Sequence, residues 1–236
     1  SRVNIPTGGE TDAWVLAADS NVRHLTMAND GTLYAYANPS ATSYTLFKSV
    51  DSGFSWSHTG DVRDPIVDIV IASDDANIIY YATPSTVHKS SNAGASFIQL
   101  PVGLGGAGVD NITISGIDVG RLDGNSIVAA GTIDHDSSQF GGVYTLDETE
   151  VMTGWVDTGL GSYDVSDLVF SPNFAADFQL VAVVTDEQDT FVTSRIDSGA
   201  WNQAISGATI QGLVSEAAVI AFPEDHDAVD GDYILF

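Results

Sequence analysis

The chain has 236 residues, of which 44% are hydrophobic and 9% aromatic, enough apolar surface for a packed core and too much for a disordered chain. Asp and Glu number 32 against 7 Lys and Arg; the net charge of −25 excludes nucleic acid, anionic lipid and anionic substrates as natural partners and favours divalent cations and basic surfaces. Cysteine is absent, which removes disulfides, thiolate metal sites and a cysteine nucleophile, and no apolar run approaches the ~18 residues of a membrane helix, so no membrane insertion is expected.

Taken in order, the chain reads as strands bounded by turn residues, with no sustained helical period. The opening segment holds short strands at Arg2 to Ile5 and around Ala13 to Leu16. A first full unit has strands at Val22 to Met27, Thr32 to Ala37 and Thr45 to Ser49, and a second at Ile66 to Ala72, Ile78 to Ala82 and Val87 to Ser90. A third has Ile112 to Val119, Ser126 to Thr132 and Gly142 to Leu146; a fourth has Val165 to Phe170, a plain connection S-P-N-F-A-A-D, Phe178 to Val184 and Thr190 to Ser194. Two last strands are expected at Glu216 to Phe222 and Asp232 to Phe236. Runs such as I-V-D-I-V-I-A and Q-L-V-A-V-V are nearly continuous in apolar residues, as in strands buried on both faces. Without linkers or low-complexity tails, residues 1–236 are expected to form a single domain.

One stretch recurs once per unit. Lys48 to Trp56 reads K-S-V-D-S-G-F-S-W, and its four marked positions Ser49, Asp51, Gly53 and Trp56 return as Ser90, Asn92, Gly94 and Phe97. The chemistry is that of a tight hairpin: a short polar side chain satisfies amides of its own turn, glycine accepts positive φ, and the aromatic pins the returning strand. Used as a ruler, Trp14, Trp56, Phe97, Trp155 and Trp201 lie 42, 41, 58 and 46 residues apart. Later copies are worn: Thr145 and Asp147 precede Trp155 with extra residues between, and Asp197 and Gly199 each stand one place late between Ser194 and Trp201.

The pattern S-x-D-x-G-x-x-W resembles the Asp-box, or bacterial neuraminidase repeat, and the chain resembles the Asp-box β-propeller superfamily over nearly its whole length. The resemblance implies an all-β propeller of four-stranded antiparallel blades, with about five blade-equivalents here. These either close as a five-bladed ring, by pairing the terminal strands, or form part of a six- to eight-bladed one. It also implies that the boxes lie on outer turns, away from the ligand-binding face, so that it speaks for fold more than for function.

Two groups of residues are candidates for chemistry. The resemblance implies that loops between second and third strands lie with the blade-to-blade connections on one face, which would gather Arg63 and Asp64, then Asp134, His135 and Asp136, then Asp186, Glu187 and Asp189; there Asp134, Asp136, Asp186 and Asp189 could flank a glycosidic bond as acid and base. The bland alternative is solvated loop carboxylates. The stretch P-E-D-H-D-A-V-D-G-D offers Asp225, Asp227, Asp230 and Asp232 around Gly231 as hard oxygens for Ca2+, though without the regular spacing or closing glutamate of an EF-hand loop. The family's sialidase signature is missing, because none of the five arginines is followed by Ile-Pro.

The reading favoured on these grounds is a non-catalytic extracellular or cell-surface scaffold. It would belong to a surface layer or envelope assembly, with other surface proteins or glycans, or further copies in an oligomer or lattice, as partners. The alternatives are a glycoside hydrolase using the loop carboxylates, and a carbohydrate-binding module presenting solvent-facing aromatics such as Tyr44 or Phe140.

Overall fold

The computed structural model describes residues 21–38, 43–150, 154–201, 208–223, 226 and 228. The chain divides into two compact units, one made of residues 1–83 and 87–100, the other of 84–86 and 101–236.

The first unit holds two antiparallel sheets, each built from consecutive strands. One contains β1 (Asn21–Met27), β2 (Leu33–Asn38), β3 (Thr45–Ser49) and β4 (Ser57–His58); the other contains β5 (Asp68–Ile71), β6 (Ile79–Ala82), β7 (Val87–Ser90) and β8 (Ile98–Gln99). The second strands are apolar on both faces because both faces are covered: Tyr34, Tyr36, Tyr80 and Tyr81 are at most 1% exposed. Tyr34, Tyr36, Leu46, Ile66, Ile69, Ile79 and Tyr81 form one core cluster, and Ala35, Ala37, Phe47 and Trp56 a second.

The second unit repeats the plan with longer strands. One sheet has β9 (Ile112–Leu122), β10 (Asn125–Asp134), β11 (Gly142–Asp147) and β12 (Val156–Asp157); the next has β13 (Asp164–Phe170), β14 (Gln179–Thr185), β15 (Thr190–Ile196) and β16 (Ala208–Ile210), with the one-turn helix α1 (Phe174–Asp177) between β13 and β14. Ala129, Val143, Val165, Leu168, Phe170, Phe174 and Leu180 make its core. The two sheets meet so closely that a Cβ on Gly131 of β10 would lie 2.5 Å from Val165 Cγ1 of β13, which is why that position has no side chain.

The recurring turn is an internally bonded unit. Ser49 Oγ donates to Asp51 Oδ1 (2.8 Å) and accepts the Gly53 amide (2.9 Å), the Asp51 carboxylate takes the Ser55 amide (2.8 Å), and Trp56 Nε1 donates to the Gly53 carbonyl (3.1 Å). The second copy repeats these contacts through Ser90, Asn92, Gly94 and Ser96. Gly53 and Gly94 have φ of 85° and 79°, the region that favours glycine. The Ser55 hydroxyl and amide hold the exposed Asp51 carboxyl below its ordinary pKa.

Two expectations change. The connection S-P-N-F-A-A-D is not plain, because Phe174 turns into the core against Phe170 (4.5 Å between rings) and Asp177, 2% exposed, accepts the Gln179 amide (3.0 Å). Burying those two side chains winds the segment into α1. The segment Glu216 to Phe222 forms no strand; the Asp167 carboxylate instead takes the Ile220 amide at 2.6 Å. The other terminal strands, Arg2 to Ile5, Ala13 to Leu16 and Asp232 to Phe236, lie outside the described residues, as does Trp14. Among the described residues no helix is long and apolar enough to cross a membrane.

Candidate functional site

In the second unit, the start of β9, end of β10, starts of β11 and β13, end of β14 and start of β15 share one end of the two sheets. The loop after β10 and the loop after β14 therefore meet there. Asp164, first residue of β13, pins both ends of the loop after β10: its Oδ1 accepts the amides of Asp134 and Gly141, each at 2.8 Å. The two loops are tied to each other where Glu187 Oε2 accepts the Ser138 amide at 2.9 Å. Within the loop, Asp134 Oδ1 takes the Asp136 amide (2.9 Å), and Asp136 Oδ1 accepts from Asn111 Nδ2 (3.0 Å). His135 is exposed, its Nε2 2.8 Å from Thr113 Oγ1.

Four carboxylates thus share one loop cluster in different environments. Asp134 and Asp164 are buried, at 6% and 5% exposure, while Asp136 and Glu187 are half-buried. Burial pushes the Asp164 carboxyl above the ordinary aspartate range; the amides of Gly141 and Asp134 pull it back, and the charges of Glu187 and Asp134 raise it again. Because Oδ1 is occupied as an acceptor, a proton on Asp164 belongs on Oδ2. A carboxyl group whose surroundings favour its protonated form, set among other carboxyl groups, is the arrangement acid–base chemistry uses.

Not every candidate joins this cluster. Asp186 Oδ1 accepts the amides of Gln188 (3.0 Å) and Asp189 (2.8 Å) in its own loop, and Asp189 Oδ1 is committed to the Gly212 amide at 2.6 Å. Arg63 and Asp64 belong to the first unit, where the Arg63 amide donates to Tyr81 Oη at 3.1 Å. The candidate calcium ligands Asp225, Asp227, Asp230 and Asp232 lie outside the described residues. Among the described residues no three His, Asp or Glu side chains converge to hold a metal ion. Tyr44 and Phe140 are half-buried rather than solvent-facing; the Tyr44 ring sits 4.2 Å from the Arg23 guanidinium carbon and packs on Tyr36 at 5.1 Å. Sequence reasoning missed Asp164. Its signal was an aspartate heading strand β13, opposite Thr185.

No protein-family model matches the chain, and no curated protein sequence matches it. Among solved structures it is similar to a GH74 xyloglucanase from Xanthomonas campestris, with 14% identity and a TM-score of 0.55, over 78% of this chain and 30% of that one. It is also similar to a GH74 enzyme from Niastella koreensis, with 15% identity and a TM-score of 0.54, over 77% of this chain and 29% of that one. The chain spans less than a third of the length of either enzyme. At such identities the likeness concerns fold, and the fold is an all-β propeller of several four-stranded antiparallel blades. The finding corrects the favoured reading of a non-catalytic surface scaffold, because both of these similar propellers are GH74 enzymes, one of them a xyloglucanase. The physical reason is that a missing sialidase signature excludes one chemistry only, whereas glycoside hydrolysis needs no more than two differently tuned carboxylates on a rigid frame.

Proposed function

We propose that the second unit carries the acid–base site of a glycoside hydrolase acting on a neutral polysaccharide. Asp164 is the acid, donating its Oδ2 proton to the leaving glycosidic oxygen, and the half-buried Asp136 is the second carboxylate, which activates the attacking water or attacks the anomeric carbon itself. The observation that carries this reading is the raised, buried Asp164 carboxyl among three other carboxylates where the loops after β10 and β14 meet. Asp134 and Glu187 position the loop, and their charges add to the burial that favours the protonated form of Asp164. Neutrality of the substrate follows from the −25 charge, which repels uronic or sulfated chains. The similarity in fold to a xyloglucanase favours a plant-type glucan backbone.

In this reading the bonded turns at Ser49 to Trp56 and Ser90 to Phe97 are Asp-boxes, supported by their serine, Asp/Asn and glycine contacts. An extracellular location belongs to the proposal too, since a polymeric glycan is met outside the cell.

Reducing-sugar release from xyloglucan, β-glucan, arabinan and an aryl-glycoside panel tests it. The expected result is turnover of at least one neutral polymer, cut at least 10²-fold in both Asp164→Asn and Asp136→Asn. The anomer released tells water activation from direct attack. No release from any polymer, or release untouched by both substitutions, overturns the reading.

A further inference from the structure

At the opposite end of the same strands lies a concavity. It is a cavity of about 340 Å³ walled by Phe170, Phe174 and Phe178 and by Asp147, Arg195 and Asp197. Ile127 on its wall and Asp134 in the acid cluster stand seven residues apart on β10, roughly 23 Å at ~3.3 Å per residue, so this is not the reacting site.

The polar wall comes from the two worn turns. Where the motif is intact, Ser49 and Ser90 close the turn on Asp51 and Asn92, and those polar groups bond inside their own turn. Where it is worn, the late placement of Asp197 leaves Ser194 Oγ buried with no partner among the described residues, and Asp197 and Arg195 line the cavity. Arg195 is anchored through Nε on the Gly199 carbonyl (2.9 Å), which uses one of its five N–H donors. Asp147 is anchored through Oδ1, which accepts the Thr149 amide and hydroxyl at 2.8 and 2.7 Å. The comparable hollow of the first unit, beside an intact turn, is lined by Lys48, His58, Asn92 and small residues and offers no phenylalanine.

We infer that this cavity is an accessory glycan-binding site, holding one end of a neutral sugar chain apart from the acid cluster. A pyranose has an apolar C–H face and an edge of paired hydroxyls. The phenylalanine wall matches the first, and a fixed guanidinium with two carboxylates matches the second by paired hydrogen bonds. A cationic amphiphile would meet Arg195, and an anionic one would meet Asp147 and Asp197; the neutral polyhydroxylated ring satisfies both signs. The volume, at the low end of the ~300–1,000 Å³ of ligand clefts, suits a terminal unit rather than a long stretch. The assignment of a glycan rests on the hydrolase reading.

The test is a ¹H–¹⁵N titration of the full chain with cellotetraose and with a xyloglucan oligosaccharide. The Arg195 Nε–H signal is identified by its loss in Arg195→Met. The inference expects that signal to shift saturably, also in Asp164→Asn, and binding, followed at the backbone amides of Asp147 and Asp197, to weaken at least tenfold in Phe178→Ala and Arg195→Met, each measured well below its melting midpoint, while hydrolysis of small aryl glycosides is kept. Shifts confined to Asp134–Gly141 overturn the accessory site and leave the hydrolase reading standing; an Arg195 shift without turnover of any polymer overturns the hydrolase reading alone. No shift at Arg195 with either sugar, or a shift that Phe178→Ala does not weaken, rejects the site.

Discussion

Gly141 has no room for a side chain: a Cβ there would lie 2.0 Å from the Thr132 carbonyl oxygen, which is backbone and cannot step aside. Its amide is one of the two that Asp164 holds. Gly141→Ala is therefore expected to cost about 1–3 kcal/mol and to reduce turnover together with stability, whereas Gly142→Ala, whose nearest atoms belong to the movable Tyr144 ring at 3.3 Å, costs less; chemical denaturation and sugar release measured side by side check both. Asp164 has the opposite balance. Its folded pKa lies above the unfolded value, so its contribution to stability is complete below the unfolded pKa and is lost as pH rises through the folded one. Asp164→Asn keeps an acceptor for both amides and cannot ionise, so the variant is expected to lose less stability than wild type as pH rises, while losing turnover. Ser49, 1% exposed, gives a third case: Ser49→Ala strands the Gly53 amide and is expected to cost about 1–3 kcal/mol in urea unfolding, at the same m-value.

At the scale of elements, His88 on β7 sets an acid limit for the first unit. It is 4% exposed and stacked on Tyr81 at 4.7 Å; burial, helped by the charge of Arg63, pushes its pKa down to about 4. The unfolded chain takes up this proton near pH 6.5 and the folded chain does not until about 4, so stability present above pH 6.5 drains away over that window, by up to about 3 kcal/mol. His88→Phe is expected to shrink the loss between pH 7 and pH 4.5 by about 2 kcal/mol, read from urea midpoints at the two pH values. Strands were legible in the sequence because their cause is local: β3 (Thr45–Ser49) and β7 (Val87–Ser90) stand where alternation and turn residues put them. The fourth strands, two or three residues at Ser57–His58, Ile98–Gln99, Val156–Asp157 and Ala208–Ile210, carry too little pattern to read and exist through pairing alone. Helix α1 was hidden for a similar reason, as the Phe174 ring lies over Gly120 and Asp177 Oδ2 accepts the Ala228 amide at 3.3 Å, partners distant in sequence. Of the acid cluster, Asp134 and Asp136 were legible as loop carboxylates. Asp164 was not, because its importance comes from amides 30 and 23 residues away.

For the whole molecule, the −25 charge is the dominant long-range term, and its self-repulsion lowers stability at low salt. Melting midpoints are expected to rise between 10 and 300 mM NaCl as the Debye length falls from ~30 Å to below 10 Å. Millimolar calcium at matched ionic strength is expected to add a further increment through the carboxylates of Asp225 to Asp232, abolished by Asp227→Ala; an unchanged midpoint rejects the calcium site. The central claim is that one raised carboxyl, Asp164, drives hydrolysis of a neutral glycan. The pH dependence of kcat/KM on the best polymer, in wild type and Glu187→Gln, tests it most directly, since the Glu187 charge helps hold the Asp164 proton in place. The account predicts an alkaline limb that moves to lower pH in Glu187→Gln and activity that is lost in Asp164→Asn. An alkaline limb indifferent to Glu187, with turnover persisting in Asp164→Asn, would contradict it.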